Sequence, residues 1–264
     1  MLKLPVMAVT KEVYGFVFRE FINLLRVAWA PVIFVIVLTA FSHQQGTGPT
    51  ESAVGALLII AASLINILAF VRWIRFVVLG EDETSRSIFA VGRYEGQVLL
   101  AYLIVFGLFF AVVMFFGLIA LGLHLASTQP SGQPTSASLA SLAILALLAL
   151  FCVFYVSIRM SLAFPSSAVS GQMQLKQTIA ATKGNVTRLF SVMILTAFPL
   201  IAILAFVIFL LSGDAEVQTA MSPLQAWIAS AFGMVIQIFG AVALGISYIK
   251  LVDLPAARHQ SLTS

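Results

Sequence analysis

Six apolar runs organise this sequence, at about 27–42, 53–75, 98–123, 139–159, 189–211 and 226–250. Most reach the length, about 20 residues, at which a helix crosses a hydrocarbon core of about 30 Å. None is built from the short alternating blocks of a membrane barrel strand, so helices are the expected form. The first run is short. Leu24 and Leu25 extend it when the Arg26 side chain snorkels to the headgroups, and Pro31 then falls in its first turns, where a missing N–H costs little. The expected fold is all-α: one integral membrane domain over residues 1–264, with six transmembrane helices in three hairpins.

Between the runs the pattern becomes amphipathic. Over residues 10–26, Glu12, Arg19, Asn23 and Arg26 share one helical stripe, while Val13, Phe16, Val17, Phe21, Leu24 and Leu25 fall mostly elsewhere. That is the pattern of a helix lying in the membrane interface with its apolar side in the acyl boundary. Residues 84–97 and 174–183 are shorter candidates for the same role, and Gly184-Asn185 reads as a helix stop followed by a cap for the next span.

Composition sharpens this picture. The chain is 61% hydrophobic and 9% charged, with a mean hydropathy of +1.08; soluble domains carry about 25% charged residues. A net charge of +4 would suggest nucleic acid in a soluble protein. Here the placement of the charge gives another reason. Lys3, Lys11, Arg19 and Arg26 precede the first run; Arg72, Arg75, Arg86 and Arg93 lie between the second and third; Arg159, Lys176, Lys183 and Arg188 between the fourth and fifth; Lys250 and Arg258 follow the sixth. The alternate connections 43–52, 124–138 and 213–225 hold no Lys or Arg. Basic residues stay inside during insertion, so both termini and the amphipathic helices are expected on the cytoplasmic side of the membrane. The N-terminal segment lacks a short basic start and a small-residue cleavage site, and is expected to be retained.

The second, fourth and sixth runs end alike, at Trp73-Ile74-Arg75, Ser157-Ile158-Arg159 and Tyr248-Ile249-Lys250, with Gly80, Pro165 and Pro255 as breakers a few residues on. Either three related hairpin units exist, or aromatic and basic residues simply favour the interface.

Candidate chemistry is sparse. Cys152 stands alone in an apolar run, and His43, His124 and His259 show no metal-ligand spacing. His43, Glu51, His124, Asp214 and Glu216 share the outer loops without a spacing that enforces convergence, and Glu81-Asp82-Glu83 reads as a solvated turn, so no metal or other cofactor is expected. Asn66 and Gln237 are the polar candidates within spans, as interhelix hydrogen-bonding groups or as cavity contacts. Pro199 interrupts the fifth run, as a kink or as the break of a binding site. Gly117, Gly122, Gly240 and Gly245 would let helices approach closely. Ser63, Ser141 and Ser230 have no base placed among them, so no catalytic residue and no enzymatic role are expected. Arg19, Arg26, Arg72, Arg75, Arg159, Lys183 and Arg188 are the expected lipid-headgroup contacts. The composite expectation is a non-enzymatic membrane protein that binds lipids, a protein partner or a second copy, and no nucleic acid, with a role in envelope maintenance. The alternative is a transporter or channel for a small or lipid-like substrate.

Residues 159–190 run through Arg159, Phe164-Pro165, Leu175, Thr182-Lys183-Gly184-Asn185 and Arg188-Leu189-Phe190. This stretch resembles the membrane domain associated with glycerophosphoryl diester phosphodiesterases and its stand-alone bacterial inner-membrane relatives. In that family a span ends in an Arg-containing stretch and a Leu/Phe-Pro step, then a short helix and a Thr-Lys/Arg-Gly-Asn step lead to the next span. Trp73 to Glu81 is similar to proteobacterial stand-alone members. The family often has an acidic residue near Ser170 and a tryptophan near Thr187, which this chain lacks. The resemblance implies a bacterial inner-membrane setting and no phosphodiesterase activity, since no stretch here supplies the soluble barrel.

Overall fold

The computed structural model describes residues 3–42, 49–80, 92–127, 136–212 and 222–252. These carry eight helices and no strand: α1 (Val6–Ser42), α2 (Pro49–Leu79), α3 (Arg93–Ser127), α4 (Ser136–Met160), α5 (Ala163–Ser170), α6 (Leu175–Thr182), α7 (Val186–Ser212) and α8 (Pro223–Val252). Six are long and apolar enough to cross a membrane, and each contains one of the six runs. Residues 81–91, and with them Arg86 and the acidic turn, lie outside the described residues, as do Arg258 and His259.

The expected interfacial helix and first span form one helix of 37 residues. At 1.5 Å per residue α1 is about 55 Å long, far more than one crossing needs. It bends at Ala28, whose φ of −130° and ψ of 23° leave helical geometry three residues before Pro31. Proline removes the donor that the carbonyl four residues earlier would use, so the bend sits where the backbone ladder is already broken.

Before the bend, α1 has three faces rather than the expected two. Val9, Val13, Val17 and Leu24 are buried within the protein, with Phe16, Phe21 and Leu25 half-buried beside them. The apolar side assigned from sequence to acyl chains thus packs on the neighbouring helices α2, α7 and α8. Glu12, Arg19, Asn23 and Arg26 are not buried, and Met7, Phe18 and Ile22 form a second, exposed apolar ridge, with Trp29 exposed just past the bend.

Two further boundaries differ from expectation. Residues 93–97, expected in an interfacial helix, are the first turn of α3. Glu95 sits at the third helical position and its Oε2 accepts from the Gly92 N–H at 2.9 Å, which is the returning half of a capping box. Pro165, expected to break a helix, lies at the third position of α5, inside a first turn where its missing N–H is tolerated. The expected stop at Gly184 is present as a residue with φ of 78° following α6.

The helices divide into a packed group and a loose one. Of the most apolar stretch of each span, 44% is buried within the protein in α1, 39% in α2 and 50% in α8, against 0% in α3, 11% in the α4 region and 6% in α7. Among the described glycines, Gly245 of α8 is the most crowded: a Cβ there would lie 2.8 Å from Val77 Cγ1 of α2. Gly117, Gly122 and Gly240, expected in the same role, would bring a Cβ within 4 Å of no other group among the described residues beyond their own helix backbone. Small size does not make a packing glycine unless a neighbour fills the space.

Candidate functional site

Arginines at one end of the bundle hold its short elements together. Arg72 Nη1 reaches Val27 O, the carbonyl orphaned by Pro31, at a long 3.4 Å, and beside it Trp73 Nε1 donates to Leu24 O at 2.9 Å. Arg75 Nη1 donates to Ala168 O at 3.1 Å and its guanidinium stacks 4.0 Å from the Tyr94 ring centroid. Arg93 Nε donates to Gly171 O at 3.0 Å. Ala168 and Gly171 close α5, so two cations meet the negative end of that helix. Gly171 itself is fixed by geometry: its φ is 63°, and a Cβ there would lie 3.1 Å from Tyr94 Cε1.

The same device recurs twice. Arg159 Nη2 donates to Ile179 O in α6 at 2.9 Å, with Nη1 on the Tyr155 hydroxyl at 3.1 Å. Arg188 Nη1 donates to Leu4 O at 3.0 Å while Asn185 Oδ1 accepts from Leu4 N at 2.9 Å, pinning the chain ahead of α1. Asn185 stands at the cap position expected of it, and its side-chain oxygen reaches the chain ahead of α1.

The expected headgroup set therefore separates. Arg19, Arg26 and Lys183 are exposed; Arg159 and Arg188 are half-buried and bound to backbone carbonyls. Arg72 and Arg75 are 6% and 5% exposed. A kink and a helix end each offer one of these two buried guanidinium groups a carbonyl oxygen.

Pro199 lies inside α7, and the carbonyl it orphans is Leu195 O. The Tyr14 hydroxyl lies 3.1 Å from Leu195 O and 3.2 Å from Thr196 O and donates there. Both span prolines thus have their freed carbonyl met by a side chain of another helix. Asn66 and Gln237 differ. Asn66 Oδ1 and Gln237 Oε1 are buried with no hydrogen-bond partner among the described residues. Counted along each helix from the Val77–Gly245 contact, they stand about 17 Å and about 12 Å away, toward the middle of their spans.

A groove runs between α4 and α7. One recess of about 490 Å³ is lined by Leu147, Phe151, Tyr155 and Phe190, among others. A second recess, of about 420 Å³, is lined by Phe154, Met193, Ile201 and Val105 of α3, among others. Phe154, Ile158 and Phe190 line both, and the Phe154 and Phe190 rings meet edge to face at 6.2 Å between them. Each volume falls within the range of small-molecule sites, roughly 300–1,000 Å³.

No family model, curated protein or solved structure matches the chain.

Among the described residues no three His, Cys, Asp or Glu side chains come together. The outer-loop candidates His43, Asp214 and Glu216, with the side chains of Glu51 and His124, lie outside what is described. Cys152 is free and half-buried. Ser63 and Ser230 donate back to Ile59 O and Ala226 O in their own helices, both at 2.8 Å.

Sequence reasoning missed α5, Glu95 as a cap, and the reach of Trp73, Arg93 and Tyr14. Only the cap had a local signal, the glycine three residues before a glutamate that opens an apolar run.

Proposed function

We propose that this is a non-enzymatic, multi-pass protein of the bacterial cytoplasmic membrane that works by engaging lipid, in the service of envelope maintenance. Six spans in three hairpins, with both termini and the interfacial part of α1 on the cytoplasmic side, complete the proposal. The observation that carries it is the unequal bundle. α1, α2 and α8 bury their apolar faces in one another, while α3, α4 and α7 leave theirs to the bilayer around an apolar groove. The charge asymmetry supports the orientation. The three-sided α1, with polar residues beside an exposed apolar ridge, supports an interfacial position, as does its excess length. The resemblance of residues 159–190 supports the bacterial setting.

Reconstitution tests the lipid role. The protein is expected to retain phosphatidylglycerol over phosphatidylcholine through delipidating washes, read by mass spectrometry of the bound lipid. Equal retention of both would remove the basis of the proposal.

A second reading, transport of a small or lipid-like solute, is favoured by the unpartnered Asn66 and Gln237 oxygens. One labelling experiment separates the two and checks the orientation. In a Cys152→Ser background, an impermeant thiol reagent is expected to label Pro130→Cys from outside. Ala180→Cys should react only after permeabilisation, and Asn66→Cys and Gln237→Cys not at all. Labelling at both 66 and 237 would favour a water-filled path instead; labelling 130 and 180 from one side would overturn the topology.

A further inference from the structure

We propose that the groove between α4 and α7 binds one acyl chain of an anionic phospholipid whose phosphate rests on Arg159 and Lys183; this rests on the lipid-engaging reading above and gives it a site. The first argument is length. From Leu147 to Ile158 the α4 wall of the groove covers about 16 Å at the helical rise, and one leaflet of a core of about 30 Å is about 15 Å deep. The second is surface chemistry. The groove opens between two helices that bury almost nothing of themselves in the protein, so its natural solvent is hydrocarbon.

The third is charge. From Gly96 to Gly213 the sequence has no acidic residue, while Arg159, Lys176, Lys183 and Arg188 are all basic. Among the described residues none of the four has a carboxylate partner. Arg159 stands at the end of the groove, joined to it through Tyr155, which lines the wall. Its Nη atoms are turned to Tyr155 and Ile179, and its Nε is buried with no partner. Lys183, exposed, follows α6 three residues before the groove residue Val186. An apolar slot one leaflet deep, closed by cations without counter-ions, fits a lipid of negative headgroup. A second copy of this chain would set like charge against like charge at the same end.

The test uses the full chain in nanodiscs with phosphatidylglycerol carrying a photoreactive diazirine in mid-chain. Adducts are expected on Leu147–Phe154 of α4 and on Phe190. Lys183→Gln should lower the preference for phosphatidylglycerol over phosphatidylcholine about fivefold, the worth of one basic residue near a charged headgroup. Because Arg159 also holds α6, Leu150→Trp provides an independent check: it fills the groove from an exposed position and should abolish the α4 adducts at unchanged thermal stability. Adducts confined to other helices, with headgroup preference kept, would overturn this site and leave the general reading standing. Loss of all headgroup preference in the unmodified protein would remove both. In a Cys152→Ser background under oxidant, disulfide-linked dimers of Leu147→Cys or Phe151→Cys would assign the groove to a dimer and overturn the lipid assignment.

Discussion

Trp73→Ala is expected to be the most damaging single change in the packed half of the bundle, lowering stability by about 3–5 kcal/mol. Trp73 is 0% exposed and the largest of the fully buried side chains. Its indole both fills the space between α1 and α2 and donates to Leu24 O at 2.9 Å, beside the bend at Ala28. Truncation removes both the packing and the indole donor to Leu24 O, which lipid cannot replace. Trp73→Phe keeps the six-membered ring but loses the pyrrole part with its N–H, so it should cost less than alanine, with about 1–3 kcal/mol of its effect from the lost donor to Leu24 O. Unfolding of the detergent-solubilised protein, followed by helical signal against denaturant, measures both. Equal midpoints for wild type and Trp73→Ala would show that the α1–α2 joint does not limit stability.

That joint also marks what could be read from the chain and what could not. The spans were legible because lipid demands about 20 apolar residues whatever the tertiary structure does, and all six lie inside observed helices. Helix ends were less so. α3 starts at Arg93, well before its apolar run, because Glu95 caps Gly92, and α5 exists because buried neighbours and two arginines stabilise eight residues that would not hold a helix alone. Least legible was the use of the arginines. A run ending in Arg75 or Arg159 looks alike whether the guanidinium meets phosphate or a carbonyl, and only the third dimension puts Ala168 and Ile179 within reach. The prolines teach the same lesson. The sequence shows that Pro31 and Pro199 each free a carbonyl, but the groups that answer, Arg72 and Tyr14, lie 41 and 185 positions away. Of the candidate site residues, Asn66 and Gln237 are the pair whose polarity the fold leaves unanswered among the described residues.

Gly245→Leu should separate α2 from α8 and destabilise the protein by more than Gly245→Ala, for which overpacking of about 1–3 kcal/mol is expected. The alanine Cβ would sit 2.8 Å from Val77 Cγ1, 3.2 Å from Val77 Cβ and 3.5 Å from Val78 Cγ2. Val77 is 1% exposed and branched at Cβ, so it has neither room nor a flexible end to yield. Intrinsic helix preference acts the other way, favouring alanine over glycine by about 1 kcal/mol, and Gly240 provides the control. It lies five residues earlier in the same helix, and a Cβ there meets nothing within 4 Å among the described residues beyond its own helix backbone. Gly240→Ala is therefore expected to be neutral or stabilising while Gly245→Ala is destabilising, both read from the same denaturant midpoints. Opposite signs for one chemical change in one helix isolate crowding as the cause; stabilisation at both positions would mean that α8 does not press on α2 at Val77.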